Sequence, residues 1–194
     1  MNYVLDTEYL TWSNKSNYDD RLRKKWQKKE IIQVGICRVI EKKNKLLIKK
    51  KLNIYIKPKF NPIIPKRIIR LTKITQNIIE KKGIPYTQGV KKIEKFLDAK
   101  PIILANGDEK KLFKYNHKLN NIKFNSKIKK SKFINLKTYL NQKYGKKKYN
   151  TEDLSKIFKF RSKKLHNALF DCLTLIKCVN IALKKNNVCT IYKN

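Results

Sequence analysis

Apolar residues fall in short runs whose period changes along the chain, and those changes mark the elements. The run Y-V-L-D-T-E at positions 3 to 8 predicts a buried strand over residues 2 to 8. A polar, charged stretch from Ser13 to Lys29 follows. Then E-I-I-Q-V-G-I-C-R-V-I (30 to 40) predicts a second strand, and the β-rich stretch Lys45 to Ile56 a third. Pro58, Pro62 and Pro65 predict an irregular connection. Thr75 caps a short helix through Glu80, closed by Gly83. Val90, Ile93, Phe96 and Leu97 recur at helical spacing within Tyr86 to Asp98. Pro101 to Ala105 predicts a fourth strand, and a helix runs from Asp108 to Leu119. Lys123 to Lys132 reads as a basic, low-complexity loop, and Asn135 to Tyr144 as a helix stopped by Gly145. T-E-D-L from Thr151 reads as a cap leading into Leu154 to Phe158. A long helix is predicted from Asn167 to Lys184, with Val188 to Tyr192 as a short terminal strand. Adjacent strands followed by helices alternating with strands give an α/β fold, one domain over residues 1–194 around a mixed sheet of about five strands.

A chain of 194 residues with 41% hydrophobic content can bury a real core. Charge adds more. The 49 Lys and Arg against 14 Asp and Glu give a formal net charge of +35, for which a polyanion is the obvious partner. Charge alone also admits an acidic membrane surface, and an AT-biased genome enriches Lys, Asn and Ile without selection for binding. No run approaches the eighteen or so apolar residues of a membrane span. The four cysteines (Cys37, Cys172, Cys178, Cys189) form no C-x-x-C pair and lie mostly in apolar segments. With no signal-peptide pattern ahead of the first strand, the expectation is a soluble, unprocessed protein of the reducing cytoplasm.

Against that lysine-rich background, three acidic segments stand in apolar surroundings. Asp6 and Glu8 lie two apart on the first strand and so share a face, about 7 Å apart. Asp108 follows I-I-L-A-N-G and opens a helix, where an Asp ordinarily serves as a cap; Glu109 is its neighbour and competes for the same role. His166 and Asp171 are too far round a helix to share a face, so Asp171 belongs to the helix and His166 to the loop before it. Buried carboxylates need protonation, basic partners or bound cations. An imidazole on a loop beside them suits a general base.

The order D-x-E, then Asp, then H-x-x-x-x-D resembles the DEDDh 3′–5′ exonucleases of the RNase H-like fold. The resemblance extends to E-I-I-Q-V-G-I, to L-T-K-I-T-Q at 71 to 76 with G-I-P-Y after it, and to N-L-K-T-Y-L-N-Q-K-Y-G at 135 to 145. It covers essentially the whole chain. The branch it most resembles is the Eri-like exonucleases, through the Trp of D-T-E-Y-L-T-W and the long gap before the second strand. The chain departs from that branch in having N-G-D where G-D-x-D is usual, and in carrying Gly107 where N-F-D has its aromatic.

The resemblance implies that Asp6, Glu8, Asp108 and Asp171 hold two Mg²⁺ or Mn²⁺ ions and that His166 takes a proton from the attacking water. Nucleoside 5′-monophosphates would leave from the 3′ end of single-stranded RNA, or from 3′ overhangs. It further implies that Thr7, Trp12, Leu71, Thr72, Ile74 and Asn106 border the substrate, and it admits a homodimer. Trp12 and Trp26 are candidates for stacking on bases, and Trp12 equally for the core. Lys127, Lys129, Lys130, Lys132 and Lys146 to Lys148 are candidates for phosphate contacts, or simply a solvated surface. Two other readings stand beside this one: the same chemistry on DNA 3′ ends, and a non-catalytic nucleic-acid-binding protein on the same fold.

Overall fold

A computed structural model describes residues 1–12, 25–124, 126–145, 149–161 and 165–186. β1 (Tyr3–Tyr9), β2 (Ile31–Lys42) and β3 (Lys45–Tyr55) form an antiparallel meander. Lys43 and Asn44 both take positive φ (50° and 55°), which gives a two-residue turn matching the twist of the strands it joins. Three helices follow, α1 (Lys66–Thr72), α2 (Gln76–Lys82) and α3 (Tyr86–Phe96). Then come β4 (Ile102–Ala105), α4 (Glu109–Leu119), α5 (Lys127–Lys130), β5 (Lys132–Asn135), α6 (Leu136–Tyr144), α7 (Thr151–Ile157) and α8 (Ala168–Asn186). The sheet order is β3-β2-β1-β4-β5, with β4 parallel to β1 and β5 parallel to β4.

Strand alternation divides the interior. Val4 of β1 faces a core with Cys37, Leu104, Leu140, Leu154, Cys172, Leu175 and Val179, supplied by α6, α7 and α8. Tyr3 and Leu5 face the opposite core, with Ile36, Val90, Ile93, Ile103, Phe113 and Ile128 from α3, α4 and α5. Asp6 and Glu8 have the parity of Val4 and therefore lie on the α8 side. A third cluster joins Leu10 and Ile32 to Ile64, Ile68, Ile74 and Ile79 at the edge where β1 runs out.

Most predicted elements appear within a residue or two of their expected bounds. Thr75 caps α2, its side chain accepting from Ile78 N, and Asn135 caps α6 by accepting from Thr138 N. Two segments differ. The proline-marked connection contains α1, and the basic loop over 123 to 132 contains α5 and leads into β5. Among the described residues β5 is the fifth strand of the sheet; the terminal strand expected over 188 to 192 lies outside them. Among the described residues no helix is long and apolar enough to cross a membrane.

Candidate active site

Asp6 and Glu8 leave β1 toward the first turn of α8, which carries Asp171. That turn is seated directly on β2. Gly35 leaves no room for a side chain, because a Cβ there would lie 2.4 Å from Ala168 C and Leu169 N. Gln33, fully buried, accepts from Ala168 N at 3.0 Å through Oε1 and donates to Asn53 Oδ1 at 2.9 Å. Cys172 Sγ donates to Gly35 O at 3.2 Å. Ordinary backbone accounting thus places Asp171 beside the strand acids. Ligand oxygens of Asp6, Glu8 and Asp171 lie within 4.8 Å of one another.

His166 sits on the loop before α8 in the left-handed region (φ 62°), and its backbone N–H donates to Asp171 Oδ2 at 3.1 Å. Its Nε2 is 3.6 Å from Glu152 Oε2 on α7. Together with Thr7, Asn150, Thr151 and Leu165, these groups line a cleft of ≈190 Å³.

The electrostatics are those of an acid cluster without counter-charge. Burial first, then Asp171, pushes Glu8 up to about 8. Burial pushes Asp171 up to about 7, against the His166 N–H, which favours the anion, and with the Glu152 charge adding to the rise. Asp6 is raised well above the carboxylate range by burial and then by Asp171, Glu109 and Glu8. Asp171 Oδ1 is buried with no hydrogen-bond partner. Among the described residues, no lysine or arginine pairs with any of the three, in a chain that has 49 of them.

The expected fourth acid is where sequence and structure part. Asp108 stands at the N-cap of α4 with its side chain 67% exposed and its Oδ2 3.0 Å from Lys111 Nζ; the structure does not bring it to the trio. Glu109 does turn inward. It is 8% exposed, is pushed up to about 7 chiefly by burial, and leaves Oε2 without a partner. Helix phase explains the difference. Glu109, Phe113, Asn116 and His117 form the buried stripe of α4 at spacings of four, three and one, and Asp108 precedes it. Reading Phe113 backward by four residues would have selected Glu109 from sequence alone.

The remaining candidates separate. Thr7 lines both the acidic cleft and a neighbouring cavity of ≈340 Å³ that also includes Tyr9, Lys29, Asp108, Glu109 and Tyr115. Asn106 donates to Tyr149 O and Thr151 Oγ1, which ties β4 to α7, and its Oδ1 is buried without a partner. Leu71 is exposed, whereas Ile74 is buried in the third cluster. The Thr72 hydroxyl is occupied by Ile68 O and Ile74 N. Trp12 packs on the third cluster and meets Trp26 edge to face at 5.8 Å. Lys127 is bound into the fold through Glu94 O and Leu97 O. Lys146 to Lys148 lie outside the described residues.

Comparison with known proteins bears on the family and the fold. The family described as RNase_T exonuclease matches residues 4–179. A 3′-exonuclease solved in recognition of the histone mRNA stem-loop superposes with a TM-score of 0.77 at 17% identity, covering 95% of this chain and 64% of that one. The nuclease domain of 3′hExo, a DEDDh family member bound to rAMP, gives 0.75 at 19% identity, with 95% and 93% covered. E. coli exonuclease I in complex with a dT13 oligonucleotide gives 0.64 at 14%, with 94% and 41% covered. The chain therefore spans about two thirds or less of the length of several structures it matches. No curated protein sequence matches it.

Proposed function

We propose that this chain, which belongs to the exonuclease family of the DEDDh 3′–5′ type, removes nucleotides one at a time from the 3′ end of single-stranded RNA, or of 3′ overhangs, with two Mg²⁺ or Mn²⁺ ions. One observation carries the reading: Asp6, Glu8 and Asp171 converge, with Glu109 near enough for Asp6 to feel its charge, and among the described residues no lysine or arginine pairs with the three, in a very basic chain. Such a donor set suits hard cations that prefer oxygen ligands. Asp6, Glu8 and Asp171 would hold one ion; Asp6, whose carboxyl senses Glu109 as well, would share the second with it. When bound, the ions supply Lewis-acid polarisation of the phosphodiester and an acidified water.

The chain's own groups do the rest. His166 takes the proton of the attacking water on its imidazole, and Glu152, 3.6 Å from Nε2, stabilises the imidazolium that results. The His166 N–H holds Asp171 Oδ2 and so fixes the carboxylate relative to the base. In-line displacement breaks the bond to the 3′ oxygen and releases a nucleoside 5′-monophosphate. The chain acts as one exonuclease domain in a reducing cytoplasm, to which its buried free thiols at Cys37, Cys172 and Cys178 are suited. RNA is favoured over DNA by the sequence resemblance to the Eri-like branch.

The test is digestion of matched 5′-labelled RNA and DNA strands bearing a 3′-hydroxyl or a 3′-phosphate, with Mg²⁺, Mn²⁺ or EDTA. Stepwise shortening of the 3′-hydroxyl RNA, stopped by EDTA, is expected. Faster digestion of DNA would move the substrate to DNA ends. Binding of either strand with no cleavage in any metal would refute the enzyme and leave the binding protein.

A further inference from the structure

Trp26 is 55% exposed, Phe60 44% and Ile63 79%, three of the large apolar side chains left open to solvent. Trp26 is tied to the end of β1 through Trp12, and to the Phe60 loop through Asn61. Trp12 is four residues after Glu8, so the extended chain puts its Cα within about 14 Å of that acid. The rings of Trp12 and Trp26 are 5.8 Å apart at 82°, one edge against the other's face. That arrangement holds Trp26 upright on a partner rooted in the third core cluster.

The surface is braced from beneath. Glu30, one of only 14 acids, is 3% exposed, and among the described residues no cation pairs with it. Its two oxygens accept from the backbone N–H groups of Lys59, Phe60 and Asn61. Asn61 then donates to Trp26 O at 2.9 Å and accepts from Lys28 N at 3.0 Å. A buried carboxylate and one amide thus lock the Trp26 segment to the Phe60 loop. Cations rim it: Lys59 lies over the Phe60 ring at 5.5 Å, and Arg67 donates to Thr11 Oγ1 at 3.1 Å, with the exposed Arg70 one turn further along α1.

We propose that the braced Trp12–Trp26 pair, with Phe60 and the Arg67–Arg70 face of α1, is a stacking platform for single-stranded bases upstream of the nucleotide in the acidic cleft. Aromatic faces at this density take bases of any sequence, and the arginines and Lys59 answer the phosphates between them. An acidic peptide would use the cations and leave the rings idle. The proposal rests on the strand-hydrolysing reading of the cleft, and its test is separable because stacking needs no metal.

A fluorescein-labelled 20-nucleotide strand is titrated in EDTA against wild type, Trp26→Ala and Trp26→Phe, with intrinsic tryptophan emission recorded in parallel. The expected result is quenching on binding, a Kd raised roughly fivefold or more in Trp26→Ala, and most of the affinity restored in Trp26→Phe. Unchanged affinity in Trp26→Ala overturns the platform, as does equal quenching by polyglutamate. Metal-dependent hydrolysis of thymidine 5′-p-nitrophenyl phosphate, which reaches only the cleft, reports separately on the reading of the acids. A chain that hydrolyses this ester but binds the strand equally well with Trp26 or Ala keeps the nuclease and loses the platform.

Discussion

Replacing Asp171 by Asn should stabilise the metal-free protein and destabilise the metal-loaded one. Burial, opposed by the His166 N–H and aided by Glu152, carries this carboxyl from 3.8 to about 7. That is about three pKa units at roughly 1.4 kcal/mol each, a ceiling near 4 kcal/mol for holding the anion at pH 8. Water entering the open cleft screens part of it, leaving about 2 kcal/mol. The amide keeps an acceptor for the His166 N–H, so the loop before α8 retains its anchor. For a domain of this size the gain corresponds to a melting temperature roughly 4–8 °C higher in EDTA. With Mn²⁺ at about a hundred times its Kd, the wild type gains about 2.7 kcal/mol by mass action, and the variant, short of a ligand, gains little. The order of the two melts should therefore invert between EDTA and Mn²⁺ in a thermal-shift assay. A variant melting at or below the wild type in EDTA would mean that the acids do not strain the empty cleft.

The other expectations concern the same construction. Glu109→Gln should lower strand hydrolysis by about a hundredfold or more, as loss of charge stabilisation does; Asp108→Asn, altering an exposed group already paired with Lys111, should change it less than about threefold. An activity assay giving the reverse order would return the fourth acid to Asp108. Gly35→Ala forces a Cβ into the backbone of Ala168 and Leu169 and should cost about 3 kcal/mol or more, read as a lower urea midpoint with activity falling alongside. Metal-free stability should fall as pH rises from about 4 to about 8. With Glu8, Glu109 and Asp171 raised to about 8, 7 and 7, the folded state keeps protons that the unfolded chain has already released. Their contribution is fully present below the ordinary carboxylate range and gone above the folded values. A flat profile in EDTA across that window would contradict the shifts.

Periodicity made the sheet and the long helices legible. β1, β2 and α8 carry apolar patterns with few polar interruptions, and Gly83 and Gly145 mark helix ends. What escaped was decided elsewhere. α1 is seven residues long, begins at Pro65 without a side-chain cap, and buries only Ile68 and Thr72, too little to show a period. β5 is a four-residue edge strand inside a lysine run; its pairing with β4 and the burial of Ile128 beneath α3 and α4 are tertiary facts with no local signature. At the site, the strand acids and Asp171 came from motif order, whereas Asp108 and Glu109 could be separated only by the phase of the helix they begin. The Glu30 brace was invisible because its three partners lie about thirty residues downstream.

The charge of +35 bears on the order of events at the cleft. Its far field would draw in a nucleic-acid substrate and, by the same sign, keep dications away from the free protein. An arriving strand cancels part of that potential, so ions and strand should each tighten the other's grip. Added salt then pulls two ways, loosening the polyanion while easing metal entry into the empty protein. The enzyme would work best where those opposed slopes cross, at an intermediate ionic strength set by its lysines.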